Sequence, residues 1–243
     1  MTPDRFRLRI HEALPSTSDL VAQLAGAGEP EGLAVLARRQ TAGRGTQGRA
    51  WESRAGNLHL SVLLRPTEPL RHAPQWGLLA AVALADAVAP LLPDPASLAL
   101  KWPNDLMLGG AKAAGILAEV VAGDRGGIAW LCLGIGVNLA HAPEVPGRAT
   151  ACLADAGIAP PPPEEFARSL LAALDRRRAQ RLAEGFGAIR AAWLARGPAP
   201  DTHLAVRRHG AEIAGRFAGL AEDGSLLLTT GGRVHAIASG EVA

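Results

Sequence analysis

Tyrosine is absent from this 243-residue sequence, and cysteine occurs only twice. Two isolated thiols, Cys132 and Cys152, build no disulfide framework, so a reducing compartment, the cytoplasm, is the expected location. A dominant charge is also missing. With 25 basic and 23 acidic residues, the formal net charge is +2, and no overall field marks a nucleic-acid or membrane partner. The N-terminal stretch "MTPDRFRLRIHEALPSTSD" lacks the continuous apolar centre of a secretory signal. The most apolar segment, Trp76 to Leu92, is broken by Asp86 and Pro90 and reads as an alanine-rich buried helix, not as a membrane span. What is present is enough apolar sequence for a full core, in one large domain or a medium domain with a small appendage.

The periodicity changes along the chain. Arg5 to Ile10 alternates like an edge strand, and Ser16 to Asp19 supply caps for a helix from about Ser18 to Leu24. Leu33 to Arg38 and Leu58 to Arg65 read as strands, followed by the alanine-rich helix with Pro74 in its first turn. From Leu98 onward, short apolar runs between glycines and prolines predict a strand meander, with Gly109-Gly110 as a hairpin turn, so the sheet is mixed or antiparallel. Two helices are expected, one carrying Phe166, Leu170, Leu171 and Leu174 at helical spacing, the other from about Phe186 to Leu194. After Pro200, short strands punctuated by Gly210, Asp223-Gly224 and Gly231-Gly232 predict a small β-barrel. The boundary is placed at 197/198: a larger domain over 1–197 and a small one over 198–243.

Four stretches carry polar groups in patterns that invite chemistry. "QTAGRGTQGRAW", Gln40 to Trp51, has the glycine spacing of a dinucleotide-binding loop, but that motif needs a helix to open at its last glycine, and the next element here reads as a strand. The loop still offers closely approachable amides bracketed by Arg44 and Arg49, a setting for phosphate or carboxylate, or else a solvated surface loop. In "LKWPNDLML", Lys101, Asn104 and Asp105 project from a strand end or form an Asx-turn. Lys112, in "GGAKAAGILAE", is either an exposed hairpin lysine or a rigidly mounted point charge for an anion. In "GIGVNL", Gly134 and Gly136 permit close approach or relieve packing, and Asn138 closes the strand. Ser16 and Thr17 are explained by helix capping alone. Trp51, Trp76 and Trp102 are core candidates, although Trp51 beside Arg49 is placed to stack on a base.

In this order, "STSD", "QTAGRG" with "GRAW", "KWPNDL", "KAAGILAE" and "GIGVNL", with "AGLAEDGSLLL" and "SGEV" near the C-terminal end, resemble biotin protein ligase over nearly the whole chain. The resemblance implies an α+β catalytic domain, a mixed sheet packed with helices, followed by a small SH3-like barrel. It also implies the short form, without the N-terminal helix-turn-helix repressor module that some members carry. The implied activity is ATP-dependent: biotin's carboxylate attacks the α-phosphate of ATP, giving biotinyl-5'-AMP and pyrophosphate. A lysine of a biotin carboxyl carrier protein, such as the acetyl-CoA carboxylase subunit, then takes the biotinyl group and AMP leaves. By resemblance Ser16, Thr17, Ser18, Gln40, Arg44, Gly45, Thr46, Lys112, Gly115 and Ile116 form the biotin side. Arg49, Trp51, Lys101, Asn104, Lys112 and Asn138 form the ATP side, with Mg2+ accompanying the phosphates on ligands that the sequence does not identify.

Charge gathers at the carboxylate–phosphate junction, which casts Lys112, Arg44 and Arg49 as its stabilisers. Asp105 falls on the nucleotide side and is cast as the group that orients the incoming lysine or accepts its proton. One departure stands out: the family loop usually reads G-R-G-R-x-G-R, and here Thr46 replaces the middle arginine. Two other readings have their discriminators. A lipoate or octanoate ligase or transferase shares the fold but wants apolar walls where biotin's ureido ring wants hydrogen-bond partners. A non-enzymatic ligand sensor or nucleic-acid module is disfavoured by the balanced charge, so neither DNA nor membrane binding is expected. A monomer and a homodimer are equally compatible with the sequence.

Overall fold

A computed structural model of the chain describes residues 5–208 and 210–242. β1 (Arg7–Leu14) forms one edge of a seven-stranded sheet and runs parallel to β2 (Leu33–Gln40), the two being joined through α1 (Thr17–Gly26). β3 (Leu58–Leu64) follows, then α2 (Ala73–Val88), β4 (Leu98–Lys101), β5 (Asp105–Leu108), β6 (Ala111–Ala122) and β7 (Ile128–Val137). The spatial order is β1-β2-β3-β7-β6-β5-β4, and all pairs but the first are antiparallel. The sheet is therefore mixed.

α3 (Pro163–Glu184) and α4 (Phe186–Leu194) pack with α2 over one face, and α1 covers part of the other. β2 shows why its sequence, "LAVLA", has no polar alternation. Leu33 and Val35 face α1 with Val21 and Cys132, whereas Ala34 and Leu36 face the α2 side, so both faces of the strand are buried. α2 with its flanking turns makes a 22-residue helical run apolar enough in composition to cross a membrane, and 67% of its most apolar window is buried inside the protein. It is the central core helix, as its alanine-rich, interrupted sequence predicts.

β8 (His203–Arg208), β9 (Ala211–Leu220), β10 (Leu226–Thr230), β11 (Arg233–Ile237) and β12 (Glu241–Val242) form a separate antiparallel sheet of SH3-like type, in the order β11-β10-β9-β8-β12. Its buried residues, Val206, Phe217, Leu226 and Leu228 among them, are continuous with the main core. Hydrogen bonds pin it to the larger unit, among them Gln75 Nε2 donating to the Glu222 carbonyl at 2.7 Å and Trp102 Nε1 to the Gly224 carbonyl at 3.2 Å.

Several element bounds differ from the sequence reading, and pairing explains most of them. β1 continues four residues past Ile10, to Leu14, because β2 runs on to Gln40 and offers it a parallel partner, Leu14 opposite Gln40. α1 starts one residue earlier than expected, since Ser16 accepts the Asp19 N–H as its N-cap. Lys112 lies within β6 and not ahead of it, opposite Met107 across the Gly109-Gly110 hairpin.

Candidate active site

The arginine-glycine loop leaves the end of β2 and folds back on itself. Trp51 N–H donates to the Gly43 carbonyl at 2.9 Å and Gly45 N–H to the Arg49 carbonyl at 2.7 Å. Gly43 is fixed by this fold, because a Cβ there would lie 2.7 Å from the Trp51 carbonyl oxygen. Between β2 and β3 only a single 3-10 turn, Thr46–Gly48, interrupts the loop. No α-helix opens at Gly48, so no helix N-terminus is available for a pyrophosphate and the dinucleotide reading fails on geometry.

The loop separates two cavities. The first, about 490 Å³, is lined by Ser16, Thr17, Ser18 and Gln40 on one side, Gly115, Ile116 and Asn104 on another, and Arg44 at the loop. The second, larger at about 1450 Å³, is lined by Arg49, Glu52, Asn138, Arg148, Thr150 and the loop around Pro146. Gly45, Thr46, Trp51 and Lys112 line both. Trp51 is the partition: its ring packs so closely on β7 that a Cβ on Gly136 would come within 2.5 Å of it, and one on Gly115 of β6 within 3.1 Å. The glycines of "GIGV" are therefore present for close approach, Gly136 to Trp51 and Gly134 to Ser18, whose Oγ would lie 2.7 Å from an added Cβ.

The first cavity has a polar floor. Gln40 Oε1 accepts from the Thr17 N–H at 2.8 Å and the Thr17 hydroxyl at 3.1 Å, while Gln40 Nε2 donates to Ser53 at 3.1 Å. Ser61 of β3 lies behind, 2.8 Å from Thr17 Oγ1 and 3.0 Å from Ser18 Oγ. His59, also in this wall, is buried with Nε2 3.3 Å from the Arg54 carbonyl and Nδ1 without a partner. Burial lowers its pKa from 6.5, only partly offset by the Arg54 carbonyl. A base whose folded pKa lies below its unfolded value takes up its proton more readily when unfolded. Its contribution is thus constant above pH 6.5, and stability falls as pH drops below that point. Urea midpoints measured between pH 7.5 and 5 are expected to fall more steeply for the native chain than for His59→Gln, and parallel slopes would refute this.

The charged residues are all engaged. Lys112 is ion-paired with the buried Asp105, and its ammonium lies 5.9 Å from the Trp51 ring centroid. Arg44 is held by Asp19 of α1 and, at 3.0 Å, by Glu119 of β6; burial works against its charge, and the two carboxylates outweigh it and raise its pKa. Arg49 donates to Thr46 Oγ1 at 3.0 Å and reaches Glu241 of β12 at 2.8 Å. Asn138 donates to the Ala151 carbonyl at 3.0 Å and leaves its Oδ1 buried without a protein partner, as does the Trp51 Nε1 donor. Each is a buried polar atom whose hydrogen-bonding capacity the protein itself does not use.

Lys101 lines neither cavity, and Asn104 serves partly as a staple, donating to the Ile116 carbonyl at 2.6 Å. Three participants escaped the sequence reading. His59 sits within an apolar strand with no local signal. Arg148 and Glu241 line or support the second cavity only through a contact between distant segments, Glu241 accepting from both Arg148 and Arg49. Burial disfavours the Glu241 carboxylate, and the two arginines more than compensate, holding its pKa below the ordinary value. Its motif "SGEV" was visible, but its partners were not.

Residues 11–138 match the model of the biotin/lipoate A/B protein ligase family. The chain is 41% identical over 205 residues to a biotin--[acetyl-CoA-carboxylase] ligase of Paracoccus denitrificans, covering 80% of this chain and 82% of that protein. It is 34% identical to the Mycobacterium tuberculosis protein of the same name, over 93% and 84% of the two chains. Among solved structures it resembles a biotin protein ligase of Aquifex aeolicus in complex with biotin and ATP, at 26% identity and a TM-score of 0.81, covering 98% of this chain and 97% of that one. The fold, the ordered motifs and these relatives together make the chain a member of the biotin protein ligase family.

Proposed function

We propose that this chain activates biotin with ATP to biotinyl-5'-AMP and transfers the biotinyl group to a lysine of a biotin carboxyl carrier protein of acetyl-CoA carboxylase. The observation that carries this reading is the pair of cavities meeting at Lys112 and Trp51, one with a hydroxyl-and-amide floor and the other with arginines and Asn138. Biotin's ring fills the first cavity against Ser16, Thr17, Ser18 and Gln40, and its carboxylate points to Lys112. ATP occupies the second against Arg49, Trp51 and Asn138, which brings its α-phosphate to the same lysine. A carboxylate is already ionised at neutral pH, so the first step asks for charge stabilisation and no general base. Asp105 holds Lys112 in place and is the carboxylate nearest an incoming carrier lysine.

Among the described residues no group of three or more His, Cys, Asp or Glu gathers to hold a metal. A Mg2+ accompanying the nucleotide would be held chiefly by its phosphates and by water, and the unpartnered Asn138 Oδ1 is the hard oxygen of this chain that would face it. The polar floor favours biotin over lipoate or octanoate, which present no N–H or C=O ring to it. A cytoplasmic site of action suits two buried free thiols.

The test is pyrophosphate release from ATP with biotin, lipoate or octanoate. Release that needs biotin, followed by labelling of a carrier domain, is the expected result; release that does not depend on biotin rejects the assignment. Thr46 lines both cavities, and its hydroxyl accepts from Arg49. A Thr46→Arg variant, adding a guanidinium at the junction, is expected to release biotinyl-AMP more slowly than the native chain, by a factor corresponding to ~1 to 3 kcal/mol. Equal release rates would sink that expectation.

A further inference from the structure

We propose that Ser61, which does not itself line the first cavity, takes the Ser18 hydroxyl proton and gives its own to Thr17, and so turns Ser18 into an acceptor for a ligand N–H beside Thr17, whose proton Gln40 already holds. The inference rests on the biotin reading above and extends it to a positioning residue behind the site.

One donor in this network cannot be reversed. The Thr17 backbone N–H lies 2.8 Å from Gln40 Oε1, so that side-chain atom is the carbonyl oxygen, and the amide nitrogen on the other side donates to Ser53 at 3.1 Å. The Thr17 hydroxyl, 3.1 Å from the same oxygen, must give it its single proton. With that proton committed, Thr17 Oγ1 accepts in its 2.8 Å contact with Ser61, and Ser61 donates. Ser61 in turn has no second proton, so Ser18 donates to it across 3.0 Å.

The order Ser18 to Ser61 to Thr17 to Gln40 leaves both floor hydroxyls facing the cavity with lone pairs. Ser16 has the opposite character. Its Oγ accepts from the Asp19 N–H at 3.3 Å and keeps its own proton for a ligand carbonyl. One donor beside two acceptors complements a cyclic urea, which carries one C=O between two N–H groups. Ser61 is fully buried and Thr17 and Ser18 nearly so, which keeps exchange with bulk water from averaging out this order. The neighbouring Cys132 thiol, pushed up to about 12 chiefly by burial, stays neutral, and its sulfur is a weak second partner within reach of the Ser18 and Ser61 hydroxyls.

The test is titration calorimetry on the full chain with biotin and with an analogue carrying a ring oxygen in place of one ureido N–H. The native chain is expected to bind the analogue at least about 100-fold more weakly, because acceptors then face an acceptor. In Ser61→Ala/Cys132→Ala, which also removes the thiol beside Ser18, the Ser18 proton is released to turn toward the ligand. The discrimination should shrink by at least about tenfold. Ser61→Thr/Cys132→Ala, which keeps the hydroxyl, should restore it. An unchanged ratio of the two affinities in Ser61→Ala/Cys132→Ala overturns the proposal. Neutron diffraction of the native protein tests the order independently of any variant. Deuterium on Ser61 directed at Thr17, and on Ser18 directed at Ser61, supports it; the reverse order overturns it. A native chain that binds no biotin, whatever its hydroxyl order, would instead overturn the functional reading and this proposal with it.

Discussion

Lys112→Met is expected to lower biotin-dependent pyrophosphate release by about 10²–10³-fold, the usual cost of removing one preorganised charge-stabilising group. Lys112 is mounted in β6, its backbone held by Ala149 and Ala151 at 2.9 Å on each side, and it stands where the two cavities meet. Its loss also strands Asp105, a carboxylate only 8% exposed. Breaking a buried pair by removing one partner costs about 3–5 kcal/mol, so the single variant loses stability as well as rate. The double variant Lys112→Met/Asp105→Asn separates the two effects: denaturation should show most of the stability restored, while pyrophosphate release stays low. Retention of activity within tenfold in Lys112→Met, measured at saturating biotin and ATP, would remove Lys112 from the junction chemistry.

Trp193→Ala should be the most damaging substitution away from the site, at about 3–5 kcal/mol. Trp193 on α4 is wholly buried, and the chain turns tightly over its ring: a Cβ on Gly197 would lie 2.5 Å from it. α4 packs on both α2 and α3, so a void there loosens three helices of one core. Trp193→Phe should cost much less, because the indole Nε1 is buried without a partner and its removal leaves no acceptor unsatisfied. Urea or thermal denaturation of the two variants checks the contrast, and a loss under 1 kcal/mol in Trp193→Ala would show that the helices close over the void.

Local chemistry made much of the fold legible. The Gly109-Gly110 hairpin, the strand after the arginine-glycine loop and the helix over Phe186–Leu194 follow from turn residues and periodicity, and the structure contains each. α3 was legible only in its first half, where Phe166, Leu170 and Leu174 mark a buried face. Its second half, "DRRRAQRLAE", is built from good helix formers with few apolar residues, so it continues to Glu184 by propensity and by ion pairs such as Arg177 with Asp86. The site divides in the same way. Its loops carried readable motifs, whereas the Arg49 pair with Glu241 joins residues 192 apart and left no trace in either neighbourhood. Ser61 is likewise one serine in an apolar strand until the fold sets it behind Thr17 and Ser18.

With no tyrosine in the chain, its near-ultraviolet emission belongs to five tryptophans alone. Trp76, Trp102 and Trp193 are sealed in the core, whereas Trp51 forms the wall between the two cavities with an unsatisfied indole N–H. Filling either cavity changes the packing and polarity around that ring. The partition thus doubles as an intrinsic optical reporter, and adding biotin and ATP in either order while following emission reads out which ligand enters first.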